Sequence, residues 1–359
     1  MALNMPSINV YITQLAANAV ARSANGKLAV VVIDDTEGGN PVAKCTTIND
    51  LKKDNYTVAN YNDIGMAFLG SPAEVTVIKM ATTEDLADDI VPVLNQQKFD
   101  WITVLSKTAE HHTALAAYVE AYNAKPVRKA IKGVVYKATA PDDKHIVNFT
   151  TESYNTVSAQ DQEGWHLLAR IAGTLAGLPM TQTVISCTFP EIESVSEPAD
   201  MDAEVEKGHL FLYNDDDGVA ISRGVNSMTT LTGDDTEDMR SIAIVEAMDL
   251  IKYDIGVAFK KFRGTHKNSY DRQALFITAV LAYFTQLASE TILDPNYDNT
   301  ADVDVEAQRA AWIGAGRTEA AEWDDVTTKM MTFKRKMFLH GNIKILDGIE
   351  DLDFHIEMV

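Results

Sequence analysis

A chain of 359 residues is long for one core and points to two domains, and 46% hydrophobic with 23% charged residues describes a globular protein, not a disordered one. The 52 Asp and Glu outnumber the 31 Lys and Arg, giving a formal charge of -21; this argues against sequence-independent nucleic-acid binding, which needs cations to displace counterions, and against attraction to an anionic membrane. Two cysteines, Cys45 and Cys187, are too few for a disulfide-stapled secreted domain, the apolar run Phe276 to Phe284 is about half of a bilayer crossing, and Met1 to Val20 lacks a signal-peptide pattern.

In chain order, Ile8, Val10 and Ile12 alternate with Asn9, Tyr11 and Thr13, the period of a half-buried strand. Leu28 to Ile33 is a continuous apolar run, expected to be a strand buried on both faces. A helix is expected over Tyr61 to Leu69, a strand over Val75 to Met80 and a helix over Asp85 to Leu94. Next come a strand over Trp101 to Leu105, a helix over Ala109 to Tyr122 and a strand over Lys132 to Ala138, with Ile146 to Phe149 as its neighbour. Such alternation predicts an α/β sheet with parallel members. Gln162 to Leu178 reads as a further helix, ended by Gly177 and Pro179. Between Glu191 and Glu206 the chain turns acidic and proline-containing, which sets a domain boundary near 195 on an otherwise solvated face.

His209 to Tyr213 and Val219 to Ser222 flank an Asp-rich turn ending in Asp217-Gly218, a hairpin signal. Two long helical patterns follow. One has a stripe of Ile244, Met248, Ile251, Ile255 and Phe259; the other, Ser269 to Glu290, carries Phe276, Val280, Phe284 and Leu287. Both stripes are expected in a core. A weaker helix spans Val303 to Ile313, and Met337 to Asp347 returns to strand character, broken at Gly341-Asn342. Finally Leu352, Phe354, Ile356 and Met358 alternate with Asp351, Asp353, His355 and Glu357, so both ends of the sequence have the pattern of amphipathic strands.

A search for catalytic chemistry finds no constellation. The loop Asp34-Asp35-Thr36-Glu37-Gly38-Gly39 places carboxylates where a nucleotide phosphate would approach, and neither GxGxxG nor GxxxxGK[ST] occurs. The Asp215 to Gly218 cluster fails the EF-hand spacing, because Tyr213 and Gly224 stand at ligand positions. His111 and His112 lack the HExxH arrangement and read as surface residues. No cofactor and no metal site is expected. The terminal strands either pair within their own domain or act as arms that add to sheets of neighbouring copies.

The stretch Met5-Pro6-Ser7-Ile8-Asn9-Val10, then Arg22-Ser23-Ala24-Asn25-Gly26-Lys27 and the strand to Asp34-Asp35, resembles the start of contractile tail sheath proteins. Ile221-Ser222-Arg223-Gly224-Val225-Asn226-Ser227-Met228-Thr229-Thr230-Leu231 is similar to a segment of that family, and Gly341 to Asp347 followed by Glu350 to Phe354 resembles its C-terminal arm. The resemblance is to the short sheaths of Gram-positive phages, prophages and phage-tail-like bacteriocins. It implies an α/β (α+β) protein: an N-terminal arm at 1–24, an outer α/β domain at 25–195, an inner mixed domain at 196–347 and a C-terminal arm at 348–359. A small sheet in the inner domain would be completed by arm strands of neighbouring subunits.

By the same resemblance the chain is no enzyme. It is expected to polymerise as stacked hexameric rings around an inner tail tube and to contract, driving the tube through a target envelope. Expected partners are further copies of itself, the tube protein, and baseplate and tail terminator proteins, with no nucleic acid and no membrane insertion. The expected location is a phage virion tail or bacteriocin particle, assembled in the host bacterial cytoplasm. Ile8, Val10, Ile12, Leu352, Phe354 and Ile356 are the expected inter-subunit arm residues. The basic patches Lys260, Lys261, Arg263 and Lys267, and Lys334, Arg335 and Lys336, are the candidates for facing the tube, the alternative being solvated helix ends. Arg223 has a structural role beside the hairpin as its other reading. The competing function is a two-domain α/β enzyme with an unrecognised small-molecule site.

Overall fold

A computed structural model describes residues 26–125 and 128–358. The expected N-terminal arm, with Ile8, Val10 and Ile12, lies outside the described residues. Of those described, 26–249 and 347–358 form one compact unit and 250–346 a second.

The first unit opens with β1 (Lys27–Ile33), β2 (Val42–Cys45), α1 (Val58–Ala67) and β3 (Glu74–Met80). The Thr57 side chain caps α1 by accepting from Asn60 N–H. A π-turn, Leu86–Ile90, runs into the short α2 (Val91–Leu94), followed by β4 (Trp101–Leu105), α3 (Ala109–Asn123), β5 (Lys132–Tyr136) and β6 (Ile146–Phe149). Then come β7 (Ser153–Asn155), β8 (Gln162–Glu163), α4 (Leu168–Gly177), β9 (Ser194–Val195) and α5 (Met201–Glu206). The strands β10 (His209–Leu210), β11 (Leu212–Asp215) and β12 (Gly218–Ile221) lead to the long helix α6 (Ile242–Phe262), whose residues to Asp249 belong to this unit.

Seven strands make one sheet in the order β10-β6-β5-β4-β1-β3-β2, parallel throughout except for β2 against β3. The alternation within β1 sorts its residues to two faces. Leu28, Val30 and Val32 join the core under α1 and α4, while Ala29 and Val31 join the core under α2 and α3. The expected continuous burial of this strand is what three layers require.

All ten residues of α4 are buried, and glycines set how close it lies to α1. A Cβ on Gly173 would sit 2.2 Å from the Ala67 carbonyl oxygen, and one on Gly177 1.8 Å from that of Gly70. Both positions therefore exclude every larger residue.

The second unit holds the rest of α6 from Leu250, α7 (Tyr270–Ser289), β13 (Thr300–Val303), α8 (Val305–Gly314), α9 (Asp325–Met330) and β14 (Leu339–Asn342). Phe276, Val280, Phe284 and Leu287 of α7 are buried as their spacing predicts, whereas Phe259, expected in the core, is exposed near the end of α6. β13 and β14 pair antiparallel, and an isolated bridge from Leu293 to Ile345 continues the contact.

Several boundaries differ from the expectation. The compact units divide after Asp249, not near 195. One reason is local: β10, beyond the acidic stretch, hydrogen-bonds to β6 as the edge of the large sheet. The acidic stretch itself contains α5, N-capped by the Asp200 carboxylate, and Glu191 in it pairs with the buried Arg170. His112 is fully buried, not on the surface, because α3 turns it toward the sheet beside Tyr136. Residues 347–358 form no strand, because they have no ladder partner among the described residues. Cys45 and Cys187 are both free thiols.

The glycine contact makes a direct prediction. Gly173→Val should lower stability by about 1–3 kcal/mol or more through overpacking against backbone that cannot yield, measured by urea denaturation. An unchanged midpoint would show that α1 and α4 can separate freely.

Candidate assembly surfaces

Arg223 to Thr230, the segment that carried the resemblance, is a junction in the first unit. Its side chains and backbone are spent on three other parts of the chain. Asn226 is fully buried; its N–H donates to Arg240 O at 2.9 Å and its Nδ2 to Met239 O at 2.7 Å. Ile242 N–H donates to Gly224 O at 2.9 Å, and Val225 bridges Ser241, which ties the segment to the start of α6. Ser227 N–H donates to Ile146 O at 2.8 Å and its hydroxyl to Asp143 O at 2.9 Å, which ties it to the β5–β6 connection. The Asp142 carboxylate accepts from Thr229 and Thr230 N–H groups at 2.7 and 2.9 Å, and these bonds hold its pKa down at about 2.

A buried ionic cluster fixes the first turns of α6 onto the same sheet. Lys132 of β5, 5% exposed, lies 3.1 Å from Glu246 and 3.0 Å from Asp249. His145 stands 3.3 Å from both Asp143 and Asp249. Burial works against each charge, but the partners prevail. Lys132 is pushed up by Glu246 and Asp249, Asp249 is held well below the usual carboxylate range by Lys132 and His145, and His145 is raised by Asp143 and Asp249. Periodicity gave no sign of this cluster, because its members come from three separate elements.

The C-terminal segment returns to the junction. Arg223, expected either as a residue beside the hairpin or within the family segment, donates from Nε to Glu350 at 3.0 Å and from Nη2 to Asp351. Ser241 Oγ donates to Asp347 at 3.0 Å. Beyond Asp351 the apolar residues Leu352, Phe354, Ile356 and Met358 are exposed.

In the second unit the two basic patches are brought together. Asn268 Nδ2 reaches the carbonyl oxygens of Phe333, Lys334 and Lys336 at 3.2–3.3 Å, and Thr332 Oγ1 donates to Asn268 O at 3.0 Å. Lys260, Lys261, Arg263, Lys267, Lys334, Arg335 and Lys336 are all exposed. The sequence showed two patches and no link, since Asn268 gives no signal of its reach across more than sixty residues. Residues 250–346 hold 13 Lys and Arg against 12 Asp and Glu; the remaining residues hold 18 against 40. The acidity of the chain is therefore confined to the rest of the sequence.

An open α/β sheet binds ligands at its carboxyl edge where the strand order reverses, here at the ends of β1 and β4. There Asp34 is buried and its carboxylate accepts from Thr36 N–H, Thr57 N–H and Asn60 Nδ2 at 2.7–2.8 Å. Ser106 Oγ lies 2.8 Å from His111 Nδ1, and the Ser106 carbonyl accepts from His112 Nε2 at 2.8 Å. Burial lowers His112 to a pKa of about 4, so this imidazole is neutral. No helix among the described residues is long and apolar enough to cross a membrane.

This fold is shared with solved sheath proteins. The chain has a TM-score of 0.67 to a sheath tail protein from Listeria innocua at 13% identity, covering 96% of this chain and 100% of that one. To the helical sheath of the anti-feeding prophage in its contracted state the TM-score is 0.66 at 14% identity, covering 94% of each chain. Residues 234–359 match the family described as phage tail sheath C-terminal domain. Over its length the chain is 26% identical to the tail sheath protein of Clostridium phage phiCD119, covering 98% of this chain and 99% of that protein. The resemblance to contractile phage tail sheath proteins therefore holds, and with it the α/β class. These relatives are structural proteins, not enzymes, and the enzyme alternative is set aside.

The buried cluster yields two measurable consequences. Lys132→Met should cost about 3–5 kcal/mol, because Glu246 and Asp249 lose the cation that makes their burial tolerable; chemical denaturation reads this. His145 has a raised folded-state pKa, so its contribution is fully present below its ordinary value of 6.5 and is lost as pH rises through the raised value. A scan of thermal midpoint from about pH 6 to pH 9 should show this loss in the wild type and not in His145→Gln.

Proposed function

We propose that this chain is a structural subunit of a contractile tail sheath that stacks as hexameric rings around an inner tube and drives the tube through a target envelope by contraction. The observation that carries the reading is the joining of both basic patches at one end of the second unit by Asn268. Seven exposed cations there, on a chain whose other residues are strongly acidic, make a docking face for an acidic tube surface. Among the described residues Lys261, Arg263, Lys267, Lys334, Arg335 and Lys336 have no carboxylate partner of their own.

The segment 352–358 is proposed as the C-terminal arm. Leu352, Phe354 and Ile356 are exposed on alternate positions, and their backbone has no ladder among the described residues, as strand addition to a neighbouring copy requires. Ile8, Val10 and Ile12 are proposed for the N-terminal arm on their alternation alone. Baseplate and terminator contacts, and assembly in the cytoplasm of a bacterial host for a phage or a bacteriocin particle, follow from the same reading.

Negative-stain microscopy tests it. Purified protein should form long hollow polymers, and deletion of 352–359 should leave a folded monomer that forms none. Raised salt should speed this self-assembly by screening the net charge of -21, yet weaken docking on the tube. The combined change Lys334→Glu, Arg335→Glu and Lys336→Glu should abolish co-assembly with the tube protein while leaving the thermal midpoint nearly unchanged. Normal tube decoration by that variant would remove the basic end from the interface.

A further inference from the structure

We infer that Arg223 is a positioning residue that clasps the root of the C-terminal arm to its own subunit, so that the arm offered to a partner begins at Leu352. The inference rests on the sheath reading for what the arm does, and on the geometry of the first unit for where the arm starts.

The root is held at successive points. Asp347 accepts from the Ser241 hydroxyl at 3.0 Å and from Gly348 N–H at 2.8 Å. Gly348 lies so close to Thr183 that a Cβ there would stand 2.2 Å from its Cγ2, so any larger residue would require the Thr183 side chain to shift. Glu350 then meets Arg223 Nε at 3.0 Å while Asp351 takes Nη2, and one guanidinium spans two consecutive carboxylates. Glu350 also lies over Gly224, its Oε1 3.7 Å from where a Cβ of that glycine would be. Its side chain is only 16% exposed against 81% for Asp351.

Exposure alone does not mark the end of the root, since Ile349 is 99% exposed, Leu352 88%, Phe354 72% and Ile356 71%. What ends there is bonding, Glu350 and Asp351 being the last side chains of the segment paired with the rest of the first unit among the described residues. The clasp therefore stands where, among the described residues, the side-chain contacts of this segment with its own unit end. Arg223 is itself fixed by the junction, since Val225 N–H donates to Arg223 O at 2.9 Å and Gly224 O is held by Ile242 N–H. A guanidinium suits this place because it presents separate donors in a planar fork, which an ammonium cannot reproduce.

The test uses the full-length chain and a protease that cuts after glutamate. Glu357 is exposed in every variant and serves as the internal control; Glu350 reports the clasp. In the wild type, cleavage after Glu350 should be slow relative to cleavage after Glu357. Arg223→Gln should raise the relative rate at Glu350 by about tenfold, Asp351→Asn by less, and Arg223→Lys should restore part of the protection. Microscopy on the same samples should show fewer and more irregular polymers for Arg223→Gln than for Arg223→Lys.

Unchanged cleavage at Glu350 in Arg223→Gln overturns the clasp. Faster cleavage with polymers like those of the wild type overturns the positioning role. If wild-type protein with a protected Glu350 forms no polymer with or without its tube, the sheath reading fails while the clasp stands.

Discussion

Asn226 is sealed from solvent, and its backbone N–H, amide nitrogen and amide oxygen each have a partner: Arg240 O, Met239 O and Met228 N–H. A buried amide is costly unless its bonds are complete, so the loop at 239–241 must sit where it does for this residue to be tolerated. Much of the first unit follows from that demand. The same segment reaches forward to the start of α6 through Gly224 and backward to the β5–β6 connection through Ser227. At its head, Arg223 receives the returning C-terminal root. Sheet, helix and chain end therefore share one polar junction.

What could be read from the sequence was local. The Asp-Gly pair marked the β11–β12 hairpin, where Gly218 adopts a φ of 130°. The stripe of α7 followed from its period of 3.6, and the two-faced burial of β1 from its continuous apolar run. Pairings distant in sequence had no local mark. β13 meets β14 across some forty residues, Arg223 meets Glu350 across 127, and Lys132 finds Asp249 on a helix far along the chain. His112 was misjudged because neighbouring histidines on a helix point in different directions, and only tertiary packing decides which one faces the sheet. The acidic stretch looked like a border because composition reports solvation; β10 shows that the chain crosses it and rejoins the same sheet.

The assembly surfaces divide along chemical lines. In the proposed assembly, the exposed cations of the second unit would let long-range attraction select a partner before contact. At the proposed arm the alternation of apolar side chains would supply register and the backbone bonds, neither of which depends on ionic strength. On the proposed reading, such a subunit would separate recognition of an unlike partner from adhesion to like ones.

That exposed end also carries a safeguard against its own chemistry. A free segment with Leu352, Phe354, Ile356 and Met358 on one side is the type of sequence that stacks with identical copies into cross-β fibrils. Its other side carries Asp351, Asp353 and Glu357. In-register stacking of like segments would line these carboxylates up at strand spacing, and the repulsion opposes it. A strand of different sequence has no such penalty. The tail is thereby biased away from amyloid-like pairing with its own segment, which would leave a strand of different sequence in a neighbouring copy as the better partner for the proposed arm.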